Sequence, residues 1–495
     1  MIKRNHNSEL SERRKGNKKM YKEKIDAYID SKQDEMLADL ALLVNIDSQK
    51  TEEKEGMPYG EGPAKALAAA EELMKKYGFL TKNYDNRVVT GDFSEAEKGL
   101  DVLAHLDVVP VTDDWTMTKP FEMKVIDGKI YGRGTSDDKG PAIAALYAMR
   151  AIKELGIPMK KSMRLILGSD EECGSTDLEY YYGVEKEAPY TFTPDAEFPL
   201  INIEKGRLLG EFSAEFAETL VLPAVLSFSS GDKVNVVPQR AQAVVAGMEW
   251  SAVKEVAEAV TAKTGVQFEI EPQECSKTDA LCLKIAARGV ASHAASPQEG
   301  KNALTATLML LVNLPLADTA ANNALKALEK LMPYEDTCGK NLGIYRNDPE
   351  SGELTLSFSM VDFTTEKLTG AFDARLPIGC TDENTMQVLI RKFTEHGITF
   401  ENQHMKKPHC VPGDSEFVKT LLGSFERYTG IKGEPMAIGG GTYVHDLERG
   451  VAFGCAMPGE DTHMHGDDEY MNLDTLLTST KIFADAILKI CNELA

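Results

Sequence analysis

Side chains that can bind metals follow three apolar stretches of the chain. His105 and Asp107 follow the run DVLA, Glu171 and Glu172 follow SMRLILGSD, and Asp195 follows PYTFTP. If these runs are neighbouring strands of an open α/β sheet, their carboxyl ends open into one ligand-binding crevice, where the side chains should converge. An imidazole grouped with several carboxylates suits a hydrolytic metal centre, and zinc is the ion we expect.

The two adjacent glutamates can divide two tasks. An acidic run such as 170–172 is usually a solvated surface, but here it ends an apolar strand, where charge must be paired or metal-bound. In zinc hydrolases one carboxylate binds the ion while another accepts the proton of the attacking water. His105 and Asp107 alone are typical of a hydrogen-bonded pair at a strand end. Within a metal site, Asp107 would orient the imidazole.

Two further segments carry candidate ligands. Asp137 and Asp138 precede Gly140-Pro141, a typical helix start, and one carboxylate is explained as a helix cap. The second exceeds what a cap requires, and a carboxylate with two free oxygens can bridge two cations. The segment 463–469 contains two histidines. An exposed loop explains one of them, and the other is a candidate ligand.

Two other motifs are less specific. His293 lies among small residues, where most histidines are structural. The run Gly439-Gly440-Gly441-Thr442 exposes backbone amides that can bind an anion. It lacks the Gly-Lys-Ser/Thr ending of a phosphate loop, so nucleotide binding is disfavoured.

The apolar patterns predict the elements that position these residues. Continuous apolar runs at 100–109, 162–168 and 190–194 predict buried strands, and an Ala-rich helix from Gly140 to Leu155 separates the first two. This alternation predicts an α/β fold with a mainly parallel central sheet flanked by helices.

The pattern changes twice along the chain. Between 206 and 407, antiparallel-type strands such as RAQAVVAGMEW alternate with helices, and the α/β pattern returns after 408. We therefore predict a catalytic domain of residues 20–205 and 408–495 and an inserted α+β domain of residues 206–407. Residues 1–19 are predicted to be a disordered basic tail, with Met20 as the translational start.

Size and charge exclude several classes of function. The 495 residues exceed one ordinary core, and 55 basic against 78 acidic residues give a net charge of −23. This charge disfavours nucleic acids and anionic membranes as partners. The longest apolar stretch, 304–317, is too short to span a bilayer. Eight scattered cysteines without a C-x-x-C pair, and the absence of a signal peptide, indicate a cytoplasmic protein.

Together the motifs closely resemble the di-zinc metallopeptidases of the aminoacylase, succinyl-diaminopimelate desuccinylase and carnosinase family. The resemblance covers essentially everything after Met20. The motifs that carry it, in chain order, are AHLDVVP (104–110), YGRGTSDDKGP (131–141), SDEE (169–172), PDAEFP (194–199), GDKVNVVP (231–238), SHAASPQEGKNA (292–303), GGGTY (439–443) and HGDDEYM (465–471).

The resemblance implies two Zn²⁺ ions, with Mn²⁺ or Co²⁺ as substitutes. His105 and Asp195 would hold one ion, Glu172 and His465 the other, and Asp137 would bridge them. It also implies a cis peptide bond between Asp137 and Asp138.

The same resemblance implies catalytic and substrate-binding roles. Glu171 would be the general base, and Asp107 would support His105. The inserted domain would be a lid that supplies His293 for the oxyanion, with Asn235 and Arg375 holding the substrate's carboxylate. Backbone groups of the GGGTY motif (439–443) would also contact the substrate, at Gly440, Gly441 and Thr442.

The implied activity is hydrolysis of unblocked dipeptides, including carnosine-like Xaa-His substrates. A deacylase of N-acyl amino acids would share every ligand and is the alternative. A non-catalytic peptide-binding protein would lack a ligand or the base, and none is missing. We expect a monomer, because the insertion is large enough to serve as its own lid, whereas relatives with a small second domain form homodimers. His445-Asp446 stand where relatives often carry Gly-Arg, which leaves the side-chain preference open.

Overall fold

The computed structural model describes residues 20–217, 220–401 and 404–494. The tail predicted for residues 1–19 lies outside the described residues. Within them the chain divides into two compact units. The first unit comprises the residues up to Ile203, Cys410–Met436 and those from Gly441 onward. The second comprises Glu204–His409 and Ala437–Gly440. The sequence pattern placed the corresponding changes at 205/206 and 407/408.

The first part of the chain alternates helices and strands. Its helices are α1 (20–31), α2 (Gln33–Val44), α3 (Glu61–Lys76), α4 (Lys139–Glu154) and α5 (Thr176–Val184). Its strands are β1 (Leu80–Tyr84), β2 (Val88–Asp92), β3 (Lys98–His105), β4 (Lys124–Ile126), β5 (Lys129–Tyr131), β6 (Ser162–Gly168), β7 (Thr191–Thr193), β8 (Ala196–Glu197) and β9 (Ile201–Glu204).

The middle part is richer in strands. They are β10 (Gly206–Glu215), β11 (Ala224–Ser230), β12 (Arg240–Ala246), β13 (Gln267–Gln273), β14 (Cys282–Arg288), β15 (Asn347–Asp348), β16 (Gly352–Glu353), β17 (Thr355–Thr364), β18 (Lys367–Leu376) and β19 (Thr399–Phe400). The helices are α6 (Trp250–Thr264), α7 (Ala303–Val312), α8 (Ala320–Leu331) and α9 (Gln387–Thr394).

The last part returns to short strands and long helices. Its elements are β20 (His409–Cys410), α10 (Glu416–Thr429), β21 (Met436–Ile438), β22 (Gly450–Ala452), β23 (Cys455–Ala456), β24 (Tyr470–Asn472) and α11 (Leu473–Lys489).

The main sheet of the first unit has a parallel centre. The strand order is β1-β2-β6-β3-β7-β22-β9-β20, with β21 paired to β9. Strands β6, β3, β7 and β22 run parallel, whereas β2 joins β6, and β9 joins β22, in antiparallel pairs. Helix α4 is buried from Lys139 to Ile152, as a helix packed on this sheet must be. The fold is therefore α/β with a central sheet flanked by helices, and its parallel pairing is confined to the centre.

The second unit is built on an antiparallel sheet with the order β13-β14-β12-β11-β17-β18-β10-β19. Its hydrophobic core includes Leu208, Leu310 and Phe358. This core shares no residue with the core of the first unit, which includes Val102 and Ala104. Helix α7 ends at Val312, earlier than the apolar run, because Pro315 cannot donate a helical hydrogen bond. No helix in the described ranges has the length and apolar composition needed to cross a membrane.

Candidate metal centre

Three neighbouring parallel strands end at the candidate site. His105 is the last residue of β3, Glu171 begins a 3-10 turn (Glu171–Cys173) after β6, and Asp195 follows β7. Because β6, β3 and β7 lie side by side and run parallel, their carboxyl ends meet at one edge. His105, Glu171 and Asp195 have potential ligand atoms within 4.8 Å of one another, and so do His105, Asp137 and Glu172.

Asp137 contacts two imidazoles through different oxygens. Its Oδ1 lies 2.9 Å from His105 Nε2, and its Oδ2 lies 2.8 Å from His465 Nε2. Asp195 Oδ2 is 3.5 Å from His105 Nε2, and Glu172 Oε1 is 3.3 Å from His465 Nε2. The structure thus brings together all five residues that the resemblance assigns as ligands. The peptide bond that follows Asp137 is cis.

The other histidine of the 463–469 segment, His463, lies elsewhere. The ring of His463 packs edge-on against Tyr470, with ring centroids 5.7 Å apart. His465, and not His463, therefore faces the carboxylates. Both histidines have positive φ angles, 54° and 63°, a conformation that side chains other than glycine rarely adopt.

The carboxylates of the site are crowded and buried. Burial raises the pKa of Glu171 well above its ordinary value, and it also raises the pKa of Glu172. Burial, followed by the negative charge of Asp137, raises the pKa of Asp195. The buried Oε1 atom of Glu172 has the ion-pair contact with His465 Nε2 at 3.3 Å but accepts no hydrogen bond of standard geometry from the described residues. A cation placed among these groups would relieve this repulsion and supply the missing partner.

The histidines respond in the opposite way. Burial opposes protonation of His105, but hydrogen bonds with Asp107, Asp137 and Asp195 outweigh it and hold the pKa well above its usual range. The contacts of His465 with the carboxylates of Asp137, at 2.8 Å, and Glu172, at 3.3 Å, raise its pKa to about 11. Two imidazole nitrogens and several carboxylate oxygens in contact form a donor set that fits divalent zinc.

Asp107 contacts more than the imidazole. The Nδ1 atom of His105 lies 3.0 Å from the backbone carbonyl oxygen of Asp107 and 3.5 Å from its carboxylate. The two carboxylate oxygens accept backbone N–H groups from Glu171, at 3.2 Å, and Glu172, at 3.1 Å. Asp107 therefore contacts the ring most closely through its backbone carbonyl, and its carboxylate also holds the turn Glu171–Cys173, which we call the glutamate turn.

Sequence reasoning missed Glu469 and the role of Asp138. The carboxylate of Asp138 accepts the backbone N–H of His105 at 3.0 Å, so it holds the end of β3. Glu469 is completely buried and accepts N–H groups from the segment that carries Asp137. A charged residue directly before the apolar residues of β24 could have indicated Glu469. Three acidic residues precede that strand, however, and the sequence does not show which of them is buried.

The remaining candidates in the second unit form their own contacts. The backbone carbonyl oxygen of Asn235 accepts the N–H of Ala294 at 2.9 Å, next to His293. His293 Nδ1 accepts the N–H of Ala295 at 3.1 Å. The neutral ring therefore carries its proton on Nε2, where it can act as a donor.

Arg375 is fixed by a buried carboxylate. Its Nε and Nη2 atoms donate to Asp373 at 2.7 and 3.1 Å, and its Nη1 atom donates to the carbonyl oxygen of Gly439 at 2.7 Å. All three nitrogens of the guanidinium thus donate to these partners, and two of its five N–H groups remain for a substrate carboxylate. In the glycine motif, Gly440 belongs to the second unit, whereas Gly441 and Thr442 belong to the first.

These features agree with a comparison to known families: the chain belongs to peptidase family M20/M25/M40, whose model matches residues 102–489. That span contains every candidate site residue. The protein is accordingly a metal-dependent hydrolase.

Individual relatives match over nearly their full lengths. A β-Ala-Xaa dipeptidase of Lactobacillus delbrueckii subsp. lactis is 36% identical over 472 residues, 94% of this chain and 97% of the relative. Human carnosine dipeptidase 1 has a TM-score of 0.55 at 16% identity, covering 95% of this chain and 99% of that structure. Aminoacylhistidine dipeptidase from Vibrio alginolyticus has a TM-score of 0.57 at 15% identity, covering 93% and 97%. The two structures establish a shared fold.

Proposed function

We propose that the protein is a zinc-dependent dipeptidase that hydrolyses the peptide bond of unblocked dipeptides, including carnosine-like Xaa-His substrates. The observation that carries the proposal is the position of Asp137, whose two oxygens contact His105 and His465 separately. The names of the related dipeptidases support the choice of substrate class.

Five residues would hold two ions. His105 and Asp195 would bind one ion, Glu172 and His465 the other, and Asp137 would bind both. Bound zinc lowers the pKa of water and polarises a carbonyl group. The donor set and the crowded carboxylates support this assignment.

The other residues would move protons and hold the substrate. Glu171 accepts the proton of the attacking water and passes it to the leaving amine, a task suited to a carboxylate whose pKa is raised by burial. His293 donates from Nε2 to the oxygen on which negative charge develops. Asn235 and the two remaining N–H groups of Arg375 bind the terminal carboxylate, with the amides of 440–442 alongside. Anchoring that carboxylate would restrict the enzyme to very short peptides.

The test combines metal analysis with three substrates. Wild-type protein should bind two zinc ions and hydrolyse Ala-Ala and β-Ala-His faster than N-acetyl-Ala. Glu171→Gln should keep both ions and lose at least about a hundredfold in kcat, since general base catalysis contributes that much. Glu179→Gln, an exposed glutamate of α5, is the matched control and should behave as wild type.

Three results would contradict the proposal. Faster hydrolysis of N-acetyl-Ala would make the protein a deacylase of N-acyl amino acids. Bound zinc without hydrolysis of any substrate would indicate a peptide-binding protein. Full activity of Glu171→Gln would remove Glu171 from the mechanism.

We also propose a cytoplasmic monomer. The eight cysteines are free thiols, which supports a reducing compartment. The size of the second unit supports a lid supplied by the same chain. The mass of the active protein in solution tests this directly, and a dimer whose activity depends on its interface would contradict it.

A further inference from the structure

A single buried carboxylate holds the segment that carries Asp137. Glu469 is fully buried, and its Oε1 accepts the backbone N–H groups of Gly134, Ser136 and Asp137 at 3.1, 2.9 and 3.2 Å. Its own backbone carbonyl accepts the N–H of Gly132 at 3.0 Å. The position of Asp137 is therefore set by Glu469, which lies 332 residues away in sequence.

The same carboxylate is linked to the segment that carries His465. Glu469 Oε2 accepts a hydrogen bond from Arg133 Nη1 at 2.6 Å. The Nη2 atom of Arg133 donates to the carbonyl oxygen of Gly466 at 3.0 Å. Arg133 thus holds the carbonyl group of Gly466, the residue directly after His465, and the pair of Arg133 and Glu469 joins the backbones that carry the two contacting side chains.

His465 needs this support more than His105 does. The side chain of His105 is 0% exposed and ends a paired strand, whereas the side chain of His465 is 53% exposed and lies in a loop with φ of 63°. Little packing holds the His465 ring in place, so its position depends on hydrogen bonds to the neighbouring backbone. Asp468 adds a second support by accepting N–H groups from Thr116 and Met117, both at 2.8 Å.

We infer that Arg133 and Glu469 are positioning residues that set the spacing between Asp137 and His465, and thereby the affinity of one of the two metal positions. The inference rests on the proposed two-metal function. It assigns the effect to the ion shared by Asp137, Glu172 and His465. The ion shared by His105 and Asp195 should be much less sensitive, because β3 holds its histidine.

Arg133→Lys is the decisive variant. Lysine can pair with Glu469, but it cannot donate from one planar group to both Glu469 and the carbonyl of Gly466. Residues that orient metal ligands through hydrogen bonds usually contribute a factor of about ten to a hundred to metal affinity. We expect the affinity for the more weakly held zinc ion, measured by equilibrium dialysis, to fall by about that factor, while the tightly held ion is retained.

Arg164→Lys is the matched control. Arg164 is also buried, donates to Asp101 at 2.8 and 2.7 Å, and donates through Nη2 to the carbonyl oxygen of Lys186 at 2.9 Å. It lies near the start of β6, whereas the metal residues follow the ends of the parallel strands. This variant should lose thermal stability and keep wild-type affinity for both ions.

The outcomes separate this inference from the proposed function. Wild-type protein that binds fewer than two ions would contradict the proposed function itself. Wild-type protein with two ions, together with an Arg133→Lys variant of unchanged affinity, would overturn the inference alone. If Arg133→Lys does not fold, as judged by circular dichroism, Asp468→Ala decides, because Asp468 supports the same loop from a more exposed position. It should weaken the same ion, and unchanged affinity would overturn the inference.

Discussion

At the scale of single residues, Asp107 makes more contacts than the support of His105 that the motif predicted. The motif predicted a carboxylate that supports His105, because alternate residues of a strand share a face. Strand β3 ends at His105, however, so this alternation does not extend to Asp107. The backbone carbonyl is the group nearest the imidazole, and the carboxylate holds the amides of Glu171 and Glu172.

We predict that Asp107→Asn lowers kcat about tenfold to a hundredfold. The amide replaces one acceptor with a donor, which then faces the N–H of Glu171 or Glu172, so the glutamate turn must shift. Steady-state kinetics with Ala-Ala measures the effect. Asp113→Asn, at an exposed position in the following loop, is the control. An unchanged kcat for Asp107→Asn would show that the turn needs no such support.

Metal binding should release protons. His465 has a pKa of about 11 in the metal-free protein, so its ring carries a proton at pH 8, and the raised pKa of His105 also favours a protonated ring. A metal must displace these protons, and affinity therefore falls as the pH falls. In the metal-free fold, the stabilisation from protonated His465 is complete below pH 6.5 and is lost as the pH rises through 11.

Calorimetric zinc titrations at pH 8, in buffers of different ionisation enthalpy, measure this release. We expect about one proton per protein molecule from the His465 imidazolium, in addition to the release from His105, and about one fewer for His465→Gln. Heats that do not depend on the buffer would contradict the protonation of these rings.

At the scale of elements, apolar runs predicted the strands that carry the site but not their ends. Leu106 and Val108 are as buried as the residues of β3, yet they lie beyond the strand. Hydrophobicity reports burial and not ladder pairing, so the run 100–109 could not reveal where the strand stops. The ion pair of Arg133 and Glu469 was also beyond reach, because 336 residues separate its members and neither has a partner nearby in sequence.

The end of β6 provides a test at this scale. A Cβ atom at Gly168 would overlap the hydroxyl of Tyr443 and the carboxylate of Asp177, which hydrogen-bond to each other. Asp177 also accepts the N–H groups of Ser169 and Asp170, directly before the glutamate turn. Gly168→Ala should therefore lower both kcat and the free energy of unfolding, the latter by about 1–3 kcal/mol.

Gly183→Ala is the control for this substitution. Gly183 lies in α5, and a Cβ atom there would meet nothing within 4 Å. It should leave kcat unchanged and stabilise the fold by up to about 1 kcal/mol, since alanine favours helix. Chemical denaturation of both variants provides the comparison, and equal stability of Gly168→Ala and wild type would show that the strand end can shift freely.

At the scale of the whole molecule, the sequence pattern changes at 205/206 and 407/408. These positions lie within a few residues of the ends of the segment Glu204–His409 of the second unit. The sequence did not predict that the segment 437–440 belongs to the second unit. This stretch is short and rich in glycine, so it shows no apolar periodicity from which its unit could be assigned. How the units are arranged during turnover is equally absent from a sequence pattern. All five proposed metal ligands belong to the first unit, whereas His293, Asn235 and Arg375 belong to the second.

This division predicts the result of removing the insertion. The chain leaves and re-enters the first unit at adjacent points, since Asn202 and Val411 exchange hydrogen bonds of 2.9 and 2.8 Å. A variant with a short Gly-Ser linker in place of residues 206–407 should still bind zinc but should not hydrolyse Ala-Ala. Metal analysis and the dipeptide assay measure both properties. Hydrolysis at the wild-type rate would show that the second unit contributes nothing to catalysis.

The place of β22 in the main sheet has a consequence for biosynthesis. This strand lies between β7 and β9, although it is made only after the entire second unit. A ribosome-bound nascent chain must therefore expose the facing edges of two completed strands while about half of the polypeptide is translated, and such edges can pair with other chains. Slow elongation through the insertion would prolong this vulnerable interval, so soluble yield should depend on translation speed and on chaperones that shield early intermediates.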